Sequence, residues 1–149
     1  MFLRACIIVC CTGNNLNSQA DITDRHDPLS DEQKVEVGEL SDKLPVLVKQ
    51  WLNLVEFKVT LDNKQSIDVA QKILKDIGPM PDKKHFDEDH IDQYYFNTAM
   101  WVASLMATTR FDNAQGVDIR AAMLACRNDL DRLNLAIIAV EGGIRRLQG

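Results

Sequence analysis

The clearest pattern in the chain is a stripe of apolar residues that recurs every three or four positions near the C-terminus. An average spacing of 3.5 residues keeps one side of a helix turned towards a partner helix. The pattern predicts one long bundle or coiled-coil helix that begins near Val117, although Gly142-Gly143 weakens its last turns. The apolar positions are Ile119, Met123, Cys126, Leu130, Leu133, Ile137, Val140, Ile144 and Leu147.

A shorter series with the same spacing lies in the first half of the chain. Its members are Val37, Leu40, Leu44, Leu47, Trp51 and Leu54. Pro45 interrupts the series, and an interior proline removes a backbone hydrogen bond and clashes with the preceding turn. We therefore expect a short helix from about Asp31 and a second helix that begins near Ser41. Residues 55–61 alternate between apolar and polar, as in a strand, but no second convincing strand is present, so we favour a fraying helix end.

Two more helices are predicted between residues 66 and 109. Ser66 is a suitable N-cap for the first, which should end at Gly78 because Pro79 follows. The second runs from about Asp87 to Thr109 and is apolar around most of its circumference, which places it at the centre of a bundle or in an oligomer interface. Together the patterns predict an all-α, up-and-down bundle of about four main helices, with a short N-terminal helix, over residues 30–149.

Composition fits a single globular domain large enough to bury a core. The chain has 149 residues, of which 46% are hydrophobic and 26% are charged. Its net charge is −5, and residues 21–43 alone contain eight acids and three bases. Because no basic stripe is available to neutralise a phosphate backbone, we expect no nucleic-acid partner. The acidic segment instead suits a basic protein partner through electrostatic steering.

The first 29 residues are predicted to form a signal-like leader and a polar tether outside the bundle. Arg4 precedes an apolar run over residues 5–11, the order of a short secretory signal, and the run is too short to span a membrane. An apolar run, a cysteine and a polar tether are also the order in bacterial lipoproteins, in which Cys10 or Cys11 would carry the lipid. Against this, Val9 or Cys10 stands where a small residue usually precedes the lipidated cysteine. We expect export to the periplasm or to a membrane anchor, and the alternative is a cytoplasmic chain.

The best candidate for a chemical site is the segment from His85 to His90. Imidazole and carboxylate groups are common ligands for zinc or iron, so His85, Asp87 and His90 are the candidate metal ligands. Bundle di-iron sites repeat a Glu-x-x-His motif on two helices, however, and no second copy exists here. The competing interpretation is an acidic first turn that the helix dipole stabilises. No nucleophile elbow or phosphate-binding loop is present, so we predict no catalytic residue and no cofactor.

Two other features have both a functional and a structural interpretation. Tyr94, Tyr95, Phe96 and Trp101 are candidates to line a ligand pocket, although aromatic residues on a central helix usually form core. Cys126 lies on the apolar stripe, where a free cysteine usually acts as a small buried apolar residue.

The sequence therefore predicts a non-enzymatic helical binding protein. It would act by self-association or by blocking a protein partner, as an immunity or adaptor protein does, and would meet a membrane only through an N-terminal lipid. The predicted interaction stripe comprises Ile119, Met123, Leu130, Leu133, Ile137 and Val140. The alternatives are a metal-binding bundle or metalloenzyme built on His85, Asp87 and His90, and a small-ligand sensor bundle.

Overall fold

The computed structural model describes residues 27–63, 69–108 and 118–149. All regular structure in these ranges is helical, which confirms the predicted all-α bundle. The α-helices are α1 (Asp31–Asn63), α2 (Val69–Ile77), α3 (Ile91–Thr108), α4 (Arg120–Ala125) and α5 (Asp129–Gln148), and two 3₁₀ helices (Lys83–His85 and Glu88–His90) precede α3. No helix in the described ranges is both long enough and apolar enough to cross a membrane. The predictions for residues 1–26, including lipidation at Cys10 or Cys11, and for the Ser66 cap lie outside these ranges.

The helices α1 and α5 run in the same direction. Just before both helices begin, the backbone N–H of Asp27 donates to the carbonyl of Arg127 at 3.2 Å. Further along, the ammonium of Lys43 in α1 and the carboxylate of Glu141 in α5 form an ion pair at 3.2 Å. The second contact lies further towards the C-terminus than the first in both helices. The two helices are therefore parallel.

The helix α3 follows the same direction. Near its beginning, the ring of Phe96 lies 5.2 Å from the guanidinium carbon of Arg132, near the beginning of α5. Near its end, Met106 approaches Gly143. The chain therefore alternates up and down as predicted, but the downward passes are made by short α2 and by the segment that contains α4. The three long helices begin at one end of the bundle.

The predicted division of α1 at Pro45 is wrong. Residues Asp31–Asn63 form one continuous helix with Pro45 inside it. Leu44 is fully buried and Val48 almost so, and tertiary packing of this kind contributes most of the stability of helices in proteins. The same helix includes residues 55–61, which confirms the helical interpretation of their alternating pattern.

The helix boundaries around residues 78–91 follow local capping. The prediction that α2 ends at Gly78 is confirmed, because Gly78 has φ +84° and its N–H donates to the Leu74 carbonyl at 3.1 Å. The next helix begins at Ile91 rather than at the predicted Asp87. Asp87 instead caps the 3₁₀ helix Glu88–His90.

The predicted single helix over residues 119–147 is also wrong, because it is divided between α4 and α5. Cys126 has extended backbone with ψ 140°, and its N–H donates to the Met123 carbonyl. The side chain of Asn128 accepts a hydrogen bond from the N–H of Asp131 at 2.8 Å and forms the N-cap of α5. Cys126 is consequently half-buried at the break, where its S–H donates to the Ala122 carbonyl, rather than a buried member of a continuous stripe.

Most of the predicted C-terminal stripe forms the core of the bundle. The residues proposed above as an interaction stripe are at most 9% exposed: Ile119, Met123, Leu130, Leu133, Ile137 and Val140. They belong to one buried cluster with residues of α1 and α3. Within the described part of the chain this stripe packs against α1 and α3, and its role as an interaction surface stays a prediction.

Candidate functional site

The segment from His85 to His90 uses its polar side chains for local capping. Asp87 accepts hydrogen bonds from the backbone N–H of His90 at 3.0 Å and from the ring of the same residue. The hydrogen bond from the His90 ring holds the pKa of Asp87 below its ordinary value. His85, Asp87 and His90 are all exposed, and nowhere in the described ranges is a group of three or more His, Cys, Asp or Glu side chains placed to hold a metal ion. We assign Asp87 to helix capping, with His90 as the residue that donates to it.

The aromatic residues of α3 mainly form core. Tyr94 and Trp101 are each 3% exposed, and the indole N–H of Trp101 donates to the Gly78 carbonyl at 3.1 Å. Burial raises the pKa of the Tyr94 and Tyr95 hydroxyls. Phe96 differs from these residues because it also lines a cleft, described next.

A cleft of about 570 Å³ opens at the end of the bundle where the three long helices begin. This volume is within the range of pockets that hold small molecules. Its walls come from the segment before α1, the first turns of α1 and α3, and the beginning of α5. We call it the N-terminal cleft; it is lined by Asp27, Pro28, Leu29, Lys34, Asp92, Gln93, Phe96, Asn128, Asp129 and Arg132.

Arg132 is the most unusual residue of the N-terminal cleft, because it is charged and only 5% exposed. One terminal nitrogen of its guanidinium donates to the Asp129 carboxylate at 3.1 Å, and the other donates to the Cys126 carbonyl at 3.0 Å. The guanidinium also lies over the ring of Phe96, within range of a cation–π interaction. Its Nε–H is buried and has no hydrogen-bond partner among the described residues.

A second candidate site is the solvent-facing side of α1. The residues at 31, 35, 39, 42, 46, 49, 53 and 57 recur every three or four positions, and all of them are exposed. We call them the outer stripe of α1: Asp31, Val35, Glu39, Asp42, Val46, Lys49, Asn53 and Phe57. Three of these residues are large apolar side chains, and each is more than 60% exposed.

The first half of the outer stripe is strongly acidic. Asp31, Glu32 and Glu39 lie within one turn of the apolar side chain of Val35, whereas Val46 lies within one turn of Asp42, Lys43 and Lys49. Asp42 is the partial exception, because Lys83 lies 3.6 Å from its carboxylate. The exposed surface of α1 thus combines apolar contact area with negative charge.

The sequence pattern did not identify the residues that define the N-terminal cleft. The spacing of Asp129 and Arg132 indicates an ordinary surface pair, whereas their side chains are 16% and 6% exposed. The available signal was a charged residue directly before Leu133, which is one of the fully buried positions of α5. Lys34 and Asp92 gave no comparable signal, because only the parallel arrangement of α1 and α3 brings them to one cleft.

No protein-family model, curated protein or solved structure matches this chain.

Proposed function

We propose that this chain is a non-enzymatic binding protein that holds a basic protein partner on the first half of the outer stripe of α1. The observation that carries the proposal is the exposure of Val35, 64%, among Asp31, Glu32 and Glu39 on the face of α1 that points away from the core, with Val46, 67% exposed, further along the same face. The two valines lie about 16 Å apart along the helix axis, a spacing that one partner helix or strand can cover.

The charge of this surface favours a basic partner over a second copy of the chain. Two copies that met around Val35 would bring Asp31, Glu32 and Glu39 of each together, and like charges in an interface are costly. A partner rich in lysine or arginine would instead be attracted from a distance and oriented during encounter. Contact with Val35 and Val46 would then bury apolar surface, which adds to the attraction between the charges.

The proposal includes export, because it determines which partners the chain meets. The signal-like run over residues 5–11 and the polar segment after it support a periplasmic or lipid-anchored protein, with Cys10 or Cys11 as the lipidated residue. The intact mass of the protein isolated from its native host tests this part. A mass that corresponds to the whole unmodified chain would rule out both cleavage and lipidation.

Site-specific photocrosslinking in the native host tests the docking surface. A benzoylphenylalanine introduced at Val35 or Val46 should yield an adduct with one basic protein. The same photoreactive residue at Ile138, which is 62% exposed on α5, serves as the matched control and should not yield that adduct. Equal adduct formation at all three positions, or an adduct with an acidic protein, contradicts the proposal.

Charge reversal provides an independent check of the same surface. The double variant Glu32→Lys and Glu39→Lys should abolish the adduct formed at Val35. The control variant Glu88→Lys and Asp89→Lys reverses the same number of exposed charges on a 3₁₀ helix and should leave the adduct unchanged. Circular dichroism verifies that both variants retain the helical fold.

A further inference from the structure

Some of the charged side chains in the walls of the N-terminal cleft form no ion pair with a described residue. Asp129 is paired with Arg132, and Asp27 lies 3.8 Å from the guanidinium of Arg127. Lys34 of α1 and Asp92 of α3 form no ion pair with any described residue. The cleft therefore presents one cationic and one anionic side chain, on different helices, that have no ion-pair partner among the described residues.

The guanidinium of Arg132 adds a second observation that points to a ligand. A buried N–H without a hydrogen-bond partner is unfavourable, so such groups are uncommon in folded proteins. The Nε–H of Arg132 is in this state, although the residue lines a cleft wide enough for a small molecule. The protein atoms around it supply no acceptor, and the nitrogen is closed off from solvent, so a molecule in the cleft would supply an acceptor only with a shift of the Arg132 side chain.

The composition of the walls restricts the ligand to one that carries both signs of charge. A simple anion would face the carboxylates of Asp92 and Asp129, and a simple cation would face Lys34 and Arg132. The beginnings of α3 and α5 contribute partial positive charge at the same place, which favours a carboxylate there. Leu29 and Phe96 supply an apolar wall for the remainder of a ligand.

We propose that the N-terminal cleft binds a free α-amino acid with an apolar side chain. Its carboxylate is bound between Lys34 and the guanidinium of Arg132, its ammonium is bound by Asp92, and its side chain packs against Phe96 and Leu29. This site is separate from the docking surface on the outer stripe, so either proposal can fail alone.

NMR titration of the full chain with the apolar L-amino acids, each to about 10 mM, tests the site. At least one of them, for example L-leucine, should shift the amide signals of Gln93 and Asn128 in a saturable way. N-acetyl-L-leucine lacks the ammonium and L-leucinamide lacks the carboxylate, so each should bind at least tenfold more weakly than L-leucine. No shift with any apolar amino acid, or equal binding of the N-acetyl derivative, overturns the proposal.

Two exposed substitutions test the assigned contacts without removing a buried side chain. Lys34→Met and Asp92→Asn should each weaken binding of the amino acid at least tenfold. Lys49→Met removes another exposed lysine from the same helix, away from the cleft, and should leave the affinity unchanged. Unchanged affinity in both cleft variants contradicts the assignment.

Discussion

Gly143 illustrates how one absent side chain sets the distance between two helices. A Cβ atom placed on Gly143 would lie 2.7 Å from Nε1 of Trp51, closer than ordinary van der Waals contact. Trp51 is only 1% exposed and is held by the core, so it has little room to move away. The glycine therefore belongs to the packing of α5 against α1, whereas the sequence pattern marks it only as a weakness of the helix.

The substitution Gly143→Ala should reduce the free energy of unfolding by about 1 kcal/mol. Alanine gains about 1 kcal/mol in helix propensity, but overpacking of a core costs about 1–3 kcal/mol. Gly142→Ala is the matched control, because its Cβ would meet only flexible arginine side chains at 3.5 Å or more, and it should stabilise the protein. Urea denaturation measures both variants, and equal stabilisation by both would contradict the described packing.

Asp118 shows how an exposed pair can shift a titration. Arg120 donates to both carboxylate oxygens of Asp118 at 2.9 and 3.0 Å, and its backbone N–H also donates to this carboxylate. These hydrogen bonds lower the pKa of Asp118 to about 2. Because the folded pKa lies below the ordinary 3.8, the pair stabilises the fold above about pH 4 and this contribution is lost as the pH falls towards 2.

An NMR titration of the Asp118 carboxyl carbon tests this interaction. The midpoint should lie near pH 2 in the native chain and rise towards 3.8 in the Arg120→Gln variant, because the carboxylate then loses its charged donor. Both side chains are solvent-exposed, so the accompanying change in stability should be small. A native midpoint already near 3.8 would show that the pair does not form.

The helices show which features of the secondary structure an apolar pattern predicts and which it misses. The stripe over residues 130–147 correctly predicts a buried face of α5, because spacing of three and four residues allows one side of a helix to be buried. The same spacing conceals the break before Asn128, because Met123 and Leu130 stay in register across it. The available signal was local: Asn128 is a favourable N-cap and two aspartates follow in the first turn.

Pro45 shows the opposite case, in which a strong local signal is overridden. The proline predicts a break, yet α1 continues because its neighbours are buried against the other helices. Sequence alone does not reveal this outcome, because the gain from packing depends on residues of α3 and α5 that are distant in the chain. Pro45 should therefore destabilise α1 by an amount that the packing of its neighbours offsets.

The substitution Pro45→Ala should raise the free energy of unfolding by about 1–3 kcal/mol. Alanine restores the backbone N–H that a helix interior requires and removes the steric conflict of the ring. Lys49→Ala, at an exposed position of the same helix, should change stability by no more than about 0.5 kcal/mol. Thermal or urea unfolding measures both variants, and a less stable Pro45→Ala protein would indicate that the proline marks a required bend.

At the scale of the whole molecule, the direction of the long helices creates the candidate ligand site. The chain pattern predicts the helices and their alternation, but short α2 and the segment around α4 make α1, α3 and α5 parallel. This arrangement gathers three helix N-termini, Arg132 and the walls of the N-terminal cleft at one end. The sequence pattern does not indicate how short α2 and the segment that contains α4 are. For this reason neither the cleft nor the residues that line it could be predicted.

Distance measurements between spin labels test the parallel arrangement most directly. One labelled pair replaces Lys43 and Glu141, a second replaces Asp27 and Arg127, and the four native cysteines are changed to serine in both proteins. Parallel helices predict that both pairs lie within about 25 Å, allowing for label length. With antiparallel helices and the first pair in contact, the second pair would lie about 45 Å apart at 1.5 Å per residue, and that result would contradict the account.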